Sequence, residues 1–97
     1  ISLGDIQRRQ SHFDAAIVSY TNALEALRTD KGMAPVLYAR ALAYHGKNDW
    51  KNAEKDLIEA LGHQPDNPHI LNTLGYSWAD RGENLERAAD YLRRAVT

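Results

Sequence analysis

The stretch Leu71-Asn72-Thr73-Leu74-Gly75-Tyr76-Ser77-Trp78-Ala79-Asp80-Arg81-Gly82-Glu83-Asn84-Leu85-Glu86-Arg87-Ala88-Ala89-Asp90-Tyr91-Leu92-Arg93-Arg94-Ala95-Val96 reads as two helices folded back on each other. Leu71, Leu74, Gly75 and Trp78 recur at helical spacing, and Arg81-Gly82-Glu83-Asn84 reads as a turn. Leu85, Ala88, Ala89, Leu92, Ala95 and Val96 then form a second apolar face at positions i, i+3, i+4, i+7, i+10 and i+11. Small residues fall where two backbones would have to approach closely.

The same pair of patterns occurs twice upstream. Leu3 and Ile6 mark the remainder of a first helix, and Ser11 with Asp14 resembles a capping box for the second. Phe13, Ala16, Ile17, Tyr20, Ala23, Leu24 and Leu27 continue that second helix as one stripe, and a polar connection spans 28–33. Ala34-Pro35 opens a third helix carried by Leu37, Tyr38, Ala41, Leu42 and Tyr44. Gly46-Lys47-Asn48-Asp49 reads as a turn with Asn48 or Asp49 as N-cap. Trp50, Ala53, Leu57, Ala60 and Leu61 form the fourth face, with Gly62 as its stop. Asn67 caps the fifth helix and Pro68 sits in its first turn.

Composition narrows the function classes. The chain has 97 residues, a net charge of −1 and no cysteine. A near-neutral chain argues against a dominant nucleic-acid role, which usually shows as a basic face or stripe. Without cysteine there is neither a disulfide framework nor a thiolate metal site. No apolar run approaches the roughly 20 residues of a membrane span, so no membrane insertion by this segment is expected. The chain begins at Ile1, not methionine, and stops at Thr97 within a helical pattern, which reads as a piece of a longer protein.

Aligning the three second helices on Ala16, Ala53 and Ala88 places Tyr20, Leu57 and Leu92 four residues on, and Ala23, Ala60 and Ala95 seven on. The alignment points are 37 and 35 residues apart (53 − 16 and 88 − 53). Both intervals are close to the roughly 34-residue tetratricopeptide period. The sequence resembles the tetratricopeptide-repeat family in further positions. Its pattern of a large residue, Leu-Gly and an aromatic is matched by Leu71, Leu74-Gly75 and Trp78. Leu37, Ala41 and Tyr44 match it in the middle repeat, where Arg40 stands at the usual leucine. Leu3-Gly4 matches in the first, with Gln7 in place of the aromatic. The wording of 71–96 is also similar to repeats common in bacterial proteins.

The resemblance implies an all-α, right-handed α-solenoid of three helix-turn-helix repeats, at 1–33, 34–67 and 68–97. The first helix of each repeat would line a concave face. Tyr20, Leu57 and Leu92 would fill the space between neighbouring repeats. The inner positions then map to Asp5, Arg8 and Arg9, to Tyr38, Leu42 and His45, and to Asn72, Tyr76 and Asp80. An aromatic and apolar centre flanked by charge suits a groove that holds a peptide or helix of a partner protein. Some family members clamp a carboxylate with Lys and Asn; Asp5, Leu42 and Tyr76 occupy the asparagine positions here, so no such clamp is expected.

Other chemistry is not expected. His12, His45, His63 and His69 show no metal-ligand spacing, and no cofactor is implied. The serines lack a nucleophile-elbow context. Glu83/Arg87 and Asp90/Arg94 read as surface ion pairs rather than as acids or bases. Trp50 and Trp78 read as packing residues. The expectation is a non-catalytic, protein-binding scaffold. Two alternatives stand beside it: self-assembly into a homo-oligomer, or repeats that regulate a catalytic domain outside this segment. Cytoplasm and bacterial periplasm or envelope are both compatible with the sequence.

Overall fold

The computed structural model describes residues 3–27 and 32–96. Among them are six α-helices and no strand: α1 (Leu3–Arg9), α2 (Phe13–Ala26), α3 (Met33–Gly46), α4 (Trp50–His63), α5 (Pro68–Arg81) and α6 (Leu85–Ala95). Each helix packs on its neighbours in sequence, which makes a helical-repeat solenoid rather than a bundle around one centre. No described helix is long and apolar enough to cross a membrane.

Local chemistry sets most boundaries. The Asp49 carboxylate accepts a hydrogen bond from Asn52 N–H and starts α4. Donation from Asn52 also holds the Asp49 pKa below its ordinary value. Asn67 Oδ1 accepts from the N–H groups of His69 and Ile70, and Pro68 follows at the first helical position. Gly82, at φ 70°, closes α5 in the left-handed conformation.

Several boundaries differ from the sequence expectation. Ser11 does not cap α2. It lies at φ 62° and its N–H bonds to Arg8 O, so it closes α1, and His12 is the N-cap without a side-chain bond. Asp14 is drawn to Lys47 instead, raising the lysine pKa through a hydrogen bond. Gly62 does not stop α4, which runs on to His63. The stop comes from Pro65, because a residue preceding proline is pushed out of the helical region. Leu27 is the extended C-cap of α2 rather than part of it. Most of the connection expected over 28–33 lies outside the described residues, but Gly32 caps α3, which Met33 begins.

The core is a chain of three linked clusters. Ala16 and Tyr20 of α2 meet Ala43 of α3. Ala34 and Leu37 of α3 meet Ala60 of α4 and Ile70 of α5. Ala41, Ala53, Leu57, Leu74, Trp78 and Ala88 join α3, α4, α5 and α6. Trp78 is fully buried and donates its indole N–H to Glu54 at 2.7 Å. Trp50 is only half-buried, packed on the same cluster. Tyr20 and Leu57 share clusters with the following pair, and Tyr20 over Gly4, like Leu92 over Gly75, also closes its own pair. A Cβ at residue 75 would stand 2.9 Å from Leu92 Cγ and 3.2 Å from the Ala88 carbonyl oxygen. Leu85 and Val96, expected on the apolar face of α6, are exposed. Arg87 does not pair with Glu83; it lies 4.8 Å over the Trp78 ring, and Glu83 pairs with Arg81. Asp90 does pair with Arg94, at 3.7 Å.

Candidate functional site

The nine inner-face positions fall into three groups. On α1, Asp5 and Arg8 are engaged with the second helix of their own pair. Tyr20 Oη donates to Asp5 Oδ1 at 2.5 Å, and Arg8 Nε donates to Tyr20 Oη at 3.2 Å. Burial, and then the bond to Asp5, raises the Tyr20 phenol above its ordinary pKa. These polar groups orient a buried tyrosine. Arg9 is exposed.

On α3 and the start of α5, Tyr38 and Leu42 are half-buried, while Asn72 is exposed. Tyr38 packs against two core clusters, and its hydroxyl hydrogen-bonds Thr73 Oγ1 at 2.9 Å. It therefore clasps α3 to α5, with only part of its ring left to face a ligand.

The third group is brought together. His45, Tyr76 and Asp80, with Ser77 and Ala79, line a hollow of about 520 Å³ between α3 and α5. His45, Ser77 and Asp80 also line an adjoining hollow of about 250 Å³ with Asn48, Trp50 and Arg81. Tyr76 is 62% exposed. The His45 ring stands edge-on to Trp50, with centroids 6.1 Å apart. The Arg81 guanidinium lies 5.3 Å over the other partner of that contact, Trp50. An open aromatic ring, a carboxylate and an imidazole thus border one recess that faces solvent.

A second, more apolar hollow of about 590 Å³ is lined by Leu3, Tyr20, Ala23, Pro35, Val36 and Ala39, among others. Ala23 is exposed there, although its counterpart Ala60 is buried by Leu37 and Ile70. The apolar stripe drawn for α2 therefore does not close fully against α3.

Sequence reasoning missed Ser77, Ala79 and Asn48 as lining residues: Ser77 and Ala79 flank inner positions on α5 and Asn48 lies in the turn after α3, and helical periodicity points to none of them. It noted Arg40 only as a departure from the usual leucine and did not find its partner. Arg40 donates to both oxygens of Asp56, Nε to Oδ2 at 2.7 Å and Nη2 to Oδ1 at 2.8 Å, and Nη1 reaches Thr21 Oγ1 at 3.1 Å. Asp56 is 2% exposed. Its hydrogen bonds raise the Arg40 pKa. The visible signal was a cation at a leucine position together with a carboxylate beside Leu57 on an apolar face.

Stacked antiparallel helix pairs with a solvent-facing recess between successive first helices define a helical-repeat interaction module. The chain belongs to the tetratricopeptide-repeat family: residues 38–97 match the family described as "Tetratricopeptide repeat". It is also 37% identical over 60 residues to a TPR repeat-containing protein of Pseudomonas aeruginosa, an alignment covering 62% of this chain. The alignment covers 10% of that relative's length, so the chain spans only a small part of it. Repeats of this family generally mediate protein–protein interaction and are typically non-catalytic.

Proposed function

We propose that this chain is a protein-binding scaffold that holds a peptide or a helix of a partner protein on the face formed by α1, α3 and α5. Its repeats are assigned to 1–33, 34–67 and 68–97, and it performs no catalysis of its own. The observation that carries this reading is the recess between α3 and α5, bordered by the exposed ring of Tyr76. An exposed aromatic beside a concave wall supplies apolar area at low conformational-entropy cost, which is what interface anchors do. Tyr38 does not line this recess; its hydroxyl is committed to Thr73, and it holds α3 against α5 beside it.

A random-peptide display selection on the 97-residue chain tests the reading. Peptides should be enriched, and they should bind Tyr76→Ala at least about tenfold more weakly, the effect of losing roughly 1.4 kcal/mol. Tyr76 is exposed, so the variant keeps its fold and the comparison isolates binding. Failure to enrich any peptide, or equal binding to the variant, would contradict the assignment.

A further inference from the structure

We infer that the recess bordered by His45, Tyr76 and Asp80 seats a basic side chain, lysine or arginine, of the bound peptide; this rests on the groove reading above. Asp80 is exposed, and among the described residues it makes no hydrogen bond or ion pair. The neighbouring cations already have carboxylate partners. Arg81 Nε is bound to Glu83 at 3.1 Å, and Lys47 is paired with Asp14. The nearby Asp49 carboxylate is occupied by Asn52. Asp49 keeps its charge, since the Asn52 amide that holds it is neutral, but Asp80 is the carboxylate lining the recess that, among the described residues, has no donor engaged.

Two further features have the same sign. α3 ends at Gly46 and α5 at Arg81, so both helices direct their carboxyl ends toward this rim. Helix C-termini carry partial negative charge and favour cations within the last turn. The Tyr76 ring is open to solvent, and an aromatic face attracts an ammonium or guanidinium within about 6 Å. The protein already uses this contact for its own side chains: Arg81 lies over Trp50, and Arg87 over Trp78. The hollow of about 520 Å³ has room for a long side chain, its stem against Tyr76 and its head at Asp80.

The test is the same display selection run in parallel on wild type, Asp80→Asn and Tyr76→Ala. Wild type should enrich peptides with a lysine or arginine at one fixed position. Replacing that residue by norleucine should weaken binding about fivefold, the scale of a partly exposed ion pair, and raising the salt should shrink the difference. Asp80→Asn should still select peptides, but without the basic position. Enrichment without a basic position, or an equal basic preference on Asp80→Asn, would overturn this inference and leave the groove reading standing. If wild type enriches no peptide at all, the groove reading fails and this inference falls with it.

Discussion

Arg40→Leu restores the residue usual at its family position, and it should nevertheless destabilise this protein. The guanidinium spans three helices, donating twice to Asp56 on α4 and once to Thr21 on α2. Leucine would leave the Asp56 carboxylate, 2% exposed, without its cation. Removing one partner of a buried pair costs about 3–5 kcal/mol; the Arg40 side chain is 18% exposed, so the lower end, about 3 kcal/mol, applies. For a domain of this size that is a fall of roughly 15 °C in Tm. Asp56→Leu alone should cost less, about 1.5 kcal/mol, because Arg40 can turn toward water and keep Thr21. The double variant should lie within about 1 kcal/mol of wild type, since a well-packed apolar pair replaces a desolvated ionic one. Urea unfolding followed by circular dichroism at the helical band measures all four corners of the cycle. Losses that add to within about 0.5 kcal/mol, or an Arg40→Leu chain as stable as wild type, would refute the claim that this pair acts as a unit.

Gly75→Ala should lower stability by about 1 kcal/mol, although alanine is the better helix former by about that amount. The added methyl meets Leu92 and the backbone oxygen of Ala88, and such overpacking costs about 1–3 kcal/mol; a stabilised variant would show that the α5–α6 contact is looser than described. Tyr20 should make folding sensitive to alkali. Its phenol pKa is raised above 10.0 in the folded state, so its contribution is intact below about pH 10 and is lost as pH rises through the raised value. Urea midpoints compared between pH 8 and pH 11 should therefore fall less for Tyr20→Phe than for wild type, and equal losses would contradict the burial of that hydroxyl.

The helix pairs were legible because their signals are local: the 3.6-residue stripes, the caps at Asp49 and Asn67, the small residues at Gly4 and Gly75. The errors have physical causes. Ser11 and Asp14 satisfied a capping pattern, but backbone closure at Ser11 and the reach of Lys47 took both residues elsewhere. Gly62 looked like a stop, yet a helix ends when its next hydrogen bond becomes costly, and that is decided by Pro65. The inner-face positions came from repeat phase alone. Phase locates a side chain on a helix and does not tell whether another helix already holds it, which separates Tyr38 and Asp5 from Tyr76 and Asp80. The Arg40–Asp56 pair joins residues on two helices, and no periodicity in either announces the other.

The central claim is that the α3–α5 recess is where a partner binds. It is tested most directly by amide chemical-shift mapping on the isotopically labelled chain, titrated with a display-selected peptide. Shifts centred on His45, Tyr76, Ser77, Asp80 and their immediate neighbours are the expected result. Shifts centred instead on the exposed apolar residues Val18, Ile58 or Leu85, with the recess silent, would contradict it.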